Sequence, residues 1–237
     1  ISGETIDYGP CAFMDTYSPG TVFSSIDAQG RYAYANQPTI LSWNLTRLAE
    51  TLVRFVDPDK NRAIELLSNT IQRVQPLYET YWLAGMRDKI GLSTEDPRDL
   101  ELINELLLLM ENGRADFTLV FRNLAQTLRG DSDAVRHLFE EPDTFDIWER
   151  RWRDRLDQDG IAAETVAQAM DRANPIYIPR NHKVEEAIAA AVYKENMTPF
   201  SELLKVLTHP FDKTAGNEDY TAPPPVTDIP YRTFCGT

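Results

Sequence analysis

Apolar residues recur at three- and four-residue intervals through the middle of the chain, a period that predicts helices. Leu41, Leu45, Leu48, Leu52 and Val56 form the first stripe, widened by Ala49 and Val53. Asp57-Pro58 ends it, because the residue before a proline avoids the helical region. A second helical stretch over 62–92 carries Ile64, Leu67, Ile71, Val74 and Tyr78, kinked or interrupted at Pro76. One helix starts near Pro97, a favoured first-turn proline. Another starts near Ala115 and puts Phe117, Val120, Phe121, Leu124 and Leu128 on one face before Gly130. Shorter helices cover about 133–140, 144–156, 161–172, 183–194 and 200–208. The links between them are short and polar or rich in proline and glycine, which predicts neighbouring helices packed in succession.

The two ends of the chain lack this period. Residues 1–40 gather glycine, proline, serine and aromatic residues, with strand character only at Thr21–Ile26 and Arg31–Ala35 and a turn signal at Ser18-Pro19-Gly20. Residues 209–237 hold Pro210, Pro223-Pro224-Pro225 and Pro230, the composition of an extended tail. The expectation is one mainly α structural domain with three zones: 1–40 irregular, 41–208 helical, 209–237 extended.

Composition narrows the class. The 237 residues carry 37 acidic and 24 basic side chains, a formal net charge of −13. Nucleic acid is therefore not an expected partner, since phosphate binding needs clustered lysine and arginine. The longest apolar run, Leu106–Met110 with its neighbours, falls short of the roughly 18 residues a membrane helix needs, so no membrane partner is expected either. Two cysteines fit a reducing compartment. The first residue is Ile1, with no signal-peptide pattern behind it, and the expectation is a processed chain or a piece of a longer one.

Several chemical signals fail on inspection. Asp57, Asp59 and Asn61 have the opening spacing of a calcium loop, but Arg62 occupies its glycine position and Ser68 its closing glutamate position. His137, His182 and His209 lie too far apart for a zinc spacing. Trp82, Trp148 and Trp152 read as helix-packing anchors. Arg150, Arg151, Arg153 and Arg155 are nearly cancelled by acidic neighbours and read as a solvated, salt-bridged helix. Asn174-Pro175-Ile176-Tyr177-Ile178-Pro179-Arg180-Asn181 reads as a buried structural loop, with direct ligand contact as the alternative.

The beginning is more informative. Thr5-Ile6-Asp7-Tyr8-Gly9-Pro10 is a short apolar approach followed by Asp, an aromatic and Gly. Protein kinases use Asp-Phe-Gly at such a point to chelate the magnesium that bridges ATP phosphates. Alone the tripeptide also fits a plain turn. Here it opens a long irregular segment with Gly30-Arg31-Tyr32, then Asn36-Gln37-Pro38 and Trp43-Asn44-Leu45-Thr46-Arg47-Leu48-Ala49. Together with Asn174-Pro175, Arg180-Asn181 and a cysteine third from the end, this combination resembles the selenoprotein O family across essentially the whole chain.

That family consists of kinase-like (pseudokinase) protein adenylyltransferases, and the resemblance implies much about this chain. The fold would be a helical, kinase-like C-terminal lobe with an activation-loop-like segment at its start. The reaction would be AMPylation, the transfer of AMP from ATP to Ser, Thr or Tyr hydroxyls of protein substrates, with Mg²⁺ or Mn²⁺. Asp7 would bind the metal and, through it, ATP. The catalytic Asp, its metal-binding Asn and the ATP-clamping Lys would all precede Ile1, in a missing N-terminal lobe of the same polypeptide, so this chain alone would be inactive. A bacterial member would be cytoplasmic and a eukaryotic one mitochondrial. Family members use the terminal cysteine, or a selenocysteine, in a redox link to the loop, which makes Cys11 and Cys235 candidate redox residues. The loop cysteine of some bacterial relatives falls where this chain has Phe23, so Cys11 is not its equivalent. A Cys11–Cys235 disulfide and two separate thiols both stay open. The alternative reading of the whole chain is a non-catalytic helical interaction module.

Overall fold

Each long apolar stripe in the middle of the chain is a helix. The computed structural model describes residues 12–225, and the described residues form ten α-helices and no strand. They are α1 (Gln37–Val56), α2 (Lys60–Gln72), α3 (Val74–Ile90), α4 (Asp99–Asn112), α5 (Phe117–Leu128), α6 (Asp133–Arg136), α7 (Pro142–Asp159), α8 (Ala163–Ala173), α9 (Asn181–Lys194) and α10 (Thr198–Leu207). The chain is mainly α.

Local chemistry sets the boundaries. Asp59 caps α2, its carboxylate accepting from the Asn61 and Arg62 amides at 2.8 and 3.3 Å. The break between α2 and α3 falls at Arg73, ahead of Pro76. Pro76 has no N–H for the Gln72 carbonyl and its ring crowds that oxygen, so a continuous helix would be strained there. Gly91 closes α3 in the left-handed region at φ 78°. A Cβ at Gly91 would lie 2.5 Å from Val166 and 2.8 Å from Met170, so glycine also lets α8 approach.

The core is built by α3, α4, α5, α7 and α8. Ile90, Ile103, Leu106, Met110, Val120, Phe121, Leu124, Phe145, Trp152 and Met170 are all fully buried. Phe145, Trp148 and Trp152 stack along α7, the two indoles 5.5 Å apart. Their N–H groups donate to the Leu102 and Ile90 carbonyls at 2.9 and 2.8 Å, so α7 is bonded to α4 and to the end of α3 as well as packed on them. Asp99, with no exposed surface, accepts from Arg87 at 2.7 Å and Arg155 at 2.8 Å.

Two expectations, the strand character and the solvated arginine helix, need correction. Residues 21–26 are irregular and end in a turn, and 31–35 run from a turn into a short 3-10 helix, Tyr34–Asn36, with a single Tyr34 amide to Thr21 carbonyl bond at 3.0 Å between the two stretches instead of a ladder. The carboxylate of Asp27 accepts from the Arg31 and Tyr32 amides, both at 2.8 Å. The α1 stripe does not reach the core: Leu41, Leu48 and Val56 are exposed, and Ala49 is the single buried residue of that helix. Finally, the arginine-rich helix is only partly solvated. Arg151 reaches across to Glu105 of α4 at 2.7 Å, while Arg155 is buried between Asp99 and Asp159.

Candidate functional site

Residues 12–36 drape over the start of α5 and the end of α3. A short antiparallel contact pins this segment. The Phe117 amide donates to the Asp15 carbonyl at 2.8 Å and the Tyr17 amide to the Ala115 carbonyl at 2.9 Å, around a bridge between Thr16 and Asp116. Asp116 also caps α5, accepting from the Leu119 amide at 2.8 Å. Arg180, 1% exposed, locks the arrangement. Its guanidinium donates to Asp116 at 2.6 Å, to Asp15, and to the Thr221 carbonyl at 3.2 Å. One side chain thereby joins the leading segment, the central helix and the stretch after α10.

Aromatic packing continues the anchor. Tyr17 stacks on Phe117 at 5.7 Å and meets Tyr34 edge-on at 6.1 Å. Burial, with smaller contributions from Tyr34 and Glu111, pushes the Tyr17 phenol up to about 12.

Beneath the segment lies an open cavity of about 930 Å³. Phe13, Phe23, Tyr32, Tyr34, Phe117 and Phe121 are among the residues that line it. The polar groups are few. Lys89 projects from the last turn of α3, its ammonium 5.1 Å from the Phe121 ring and 5.7 Å from Phe117. It donates to Asn174 Oδ1 at 3.2 Å, and Asn174 Nδ2 donates back to the Lys89 carbonyl at 2.8 Å. Burial pulls the Lys89 amine below the usual lysine range. Arg31 stands at the rim with its guanidinium 4.4 Å from the Trp43 ring. The Ser24 hydroxyl is buried without a hydrogen-bond partner among the described residues.

The site residues read from the sequence, Asp7, Cys11 and Cys235, lie outside the described residues. Among the described residues no three His, Cys, Asp or Glu side chains converge as a group that could hold a metal ion. Nor is any helix among them long and apolar enough to cross a membrane. The loop 174–180 is buried at Asn174, Tyr177, Ile178 and Arg180, as its composition implied, yet Asn174, Pro175 and Ile178 also line the cavity. Lys89 carried no sequence signal, because a lysine in a last helical turn is ordinary.

Comparison with known proteins identifies the lineage. The family described as "Protein adenylyltransferase SelO" matches residues 1–208. The chain belongs to the SelO family. It is similar to the protein nucleotidyltransferase YdiU of Rhizobium meliloti (strain 1021), 50% identical over 240 residues that take in 100% of this chain and 49% of the relative. The Cereibacter sphaeroides (strain ATCC 17029) YdiU is 51% identical over 238 residues, covering 100% of this chain and 48% of its own. The YdiU of Agrobacterium fabrum is 46% identical over 237 residues, with 100% and 49% covered. The chain thus spans about half the length of the SelO-family relatives it matches.

Proposed function

We propose that this chain is the C-terminal, kinase-like lobe of an enzyme that transfers AMP from ATP to Ser, Thr or Tyr hydroxyls of proteins. Membership of the SelO family carries the reading. The acceptor oxygen attacks the α-phosphorus, the bond to the β-phosphate oxygen breaks, pyrophosphate leaves, and the hydroxyl proton passes to a base. On this reading that base, an ATP-clamping lysine and a second metal ligand would come from the part of the full-length protein that this chain does not span.

Asp7 is the proposed ligand of Mg²⁺ or Mn²⁺, which would neutralise phosphate charge. The chain's own residues contribute position. Arg180 and the Thr16–Asp116 bridge fix the segment that follows Asp7, and preorganisation of that kind is the larger part of catalysis in phosphoryl-type transfers. The reading expects no AMP transfer by the 237-residue chain alone.

The test joins this chain to the first half of the Rhizobium meliloti relative and treats a protein extract with it, ATP and Mg²⁺. Mass spectrometry should find AMP on hydroxyl side chains, lost with Asp7→Ala. Phosphate adducts without AMP would overturn the transfer chemistry, and no adduct at all would favour the interaction module.

A further inference from the structure

The cavity under residues 12–36 carries more cations than carboxylates on its wall, although the chain as a whole is acidic. In a chain of net charge −13, its lining carries Lys89 and Arg31 against the single carboxylate of Asp27. The Asp27 carboxylate keeps its charge while accepting from the Arg31 and Tyr32 amides, so the lining has one positive charge in excess. Neither Lys89 nor Arg31 forms an ion pair with another described residue; Lys89 rests on Asn174 and two aromatic rings, Arg31 on Trp43. The Ser24 hydroxyl adds a buried polar group with no partner among the described residues. Aromatic side chains beside two cations that have no ion-pair partner among the described residues complement an apolar side chain carried next to a carboxylate.

We infer that this cavity is a docking pocket for an acidic, aromatic-containing segment of the acceptor protein, with Lys89 and Arg31 reading the carboxylates and the aromatic walls taking the apolar side chain. The role of acceptor rests on the adenylyl-transfer reading; the recognition itself does not. Distance supports the link. Ala12 lines the cavity and Asp7 stands five residues before it, so the two are at most about 18 Å apart along even a fully extended chain.

The probe is a fluorescein-labelled peptide with phenylalanine between two glutamates, set against the same peptide with glutamines, titrated into the 237-residue chain without ATP. The glutamate peptide should bind at least about tenfold more tightly, and the margin should shrink as salt rises. Lys89→Met should abolish the preference and Lys89→Arg should keep it. Should Lys89→Met fail to fold, Arg31→Met at the exposed rim carries the same comparison. Equal binding of the two peptides, no binding at millimolar concentration, or a preference surviving Lys89→Met and Arg31→Met would overturn the proposal. So would displacement of the peptide by the first half of the Rhizobium meliloti relative added in trans, which would assign the cavity to that half. Because ATP is absent, failure here leaves AMP transfer standing, and failure of AMP transfer leaves the peptide preference standing.

Discussion

Arg180 shows how one residue holds several segments together. Its guanidinium is 1% exposed and shared by Asp15 and Asp116. Removing it would leave the Asp116 carboxylate buried and unpaired, so Arg180→Met should cost about 3–5 kcal/mol in urea unfolding. Arg180→Lys should recover only part of that, because an ammonium cannot serve two carboxylates and a carbonyl with one planar fork. A loss below about 1 kcal/mol for Arg180→Met would show that the hub does not anchor the segment. Asp159 gives a pH-dependent case. Burial disfavours its ionised form, but bonds from Thr94, Arg155 and Ser93 outweigh that and hold its carboxyl well below the usual range. The folded value is depressed, so the stabilisation is complete above the unfolded value of about 3.9 and is lost as pH falls below it toward the folded value. Asp159→Asn should therefore lower stability at neutral pH and flatten the acid limb of the stability curve. Urea midpoints measured between about pH 2 and 7 check this, and parallel curves would contradict it.

At the scale of elements, the fit between α3 and α8 depends on Gly91. Gly91→Ala meets both a left-handed backbone and a side chain 2.5 Å from Val166, so a loss of about 1–3 kcal/mol is expected in thermal or urea unfolding. A neutral result would mean that α8 shifts freely. The helices themselves were legible in the sequence wherever an apolar period ran long, as in α5 and α7, because burial on one face and the helical repeat demand the same spacing. The boundary at Arg73 was displaced from Pro76, since a proline acts on the turn before it. The α1 stripe marked a helix correctly, but period alone does not say which surface covers it, and α1 packs on α2 and α3 with Ala49 its single buried residue. The strand character at 21–26 failed because Asp27 offered the backbone a local alternative to a ladder.

For the whole molecule, the family was readable from Asp7-Tyr8-Gly9-Pro10 and the run from Asn36 to Ala49, since such motifs lie within short stretches of chain. The cavity was not readable, because its polar centre pairs Lys89 with Asn174, 85 residues apart. Folding alone brings them together. The central claim is that this chain supplies one metal ligand and the acceptor-side surface of an ATP site completed by another lobe. Magnesium takes octahedral oxygen coordination from carboxylates, phosphates and water. One carboxylate in water contributes about 1 kcal/mol, whereas micromolar affinity needs about 8 kcal/mol. Titrating Mg²⁺–ATP by calorimetry into the 237-residue chain, beside the same chain joined to the first half of its Rhizobium meliloti relative, tests this directly. The account predicts no saturable binding below the millimolar range for the chain alone and micromolar binding for the joined protein. Micromolar binding by the 237-residue chain alone would contradict it.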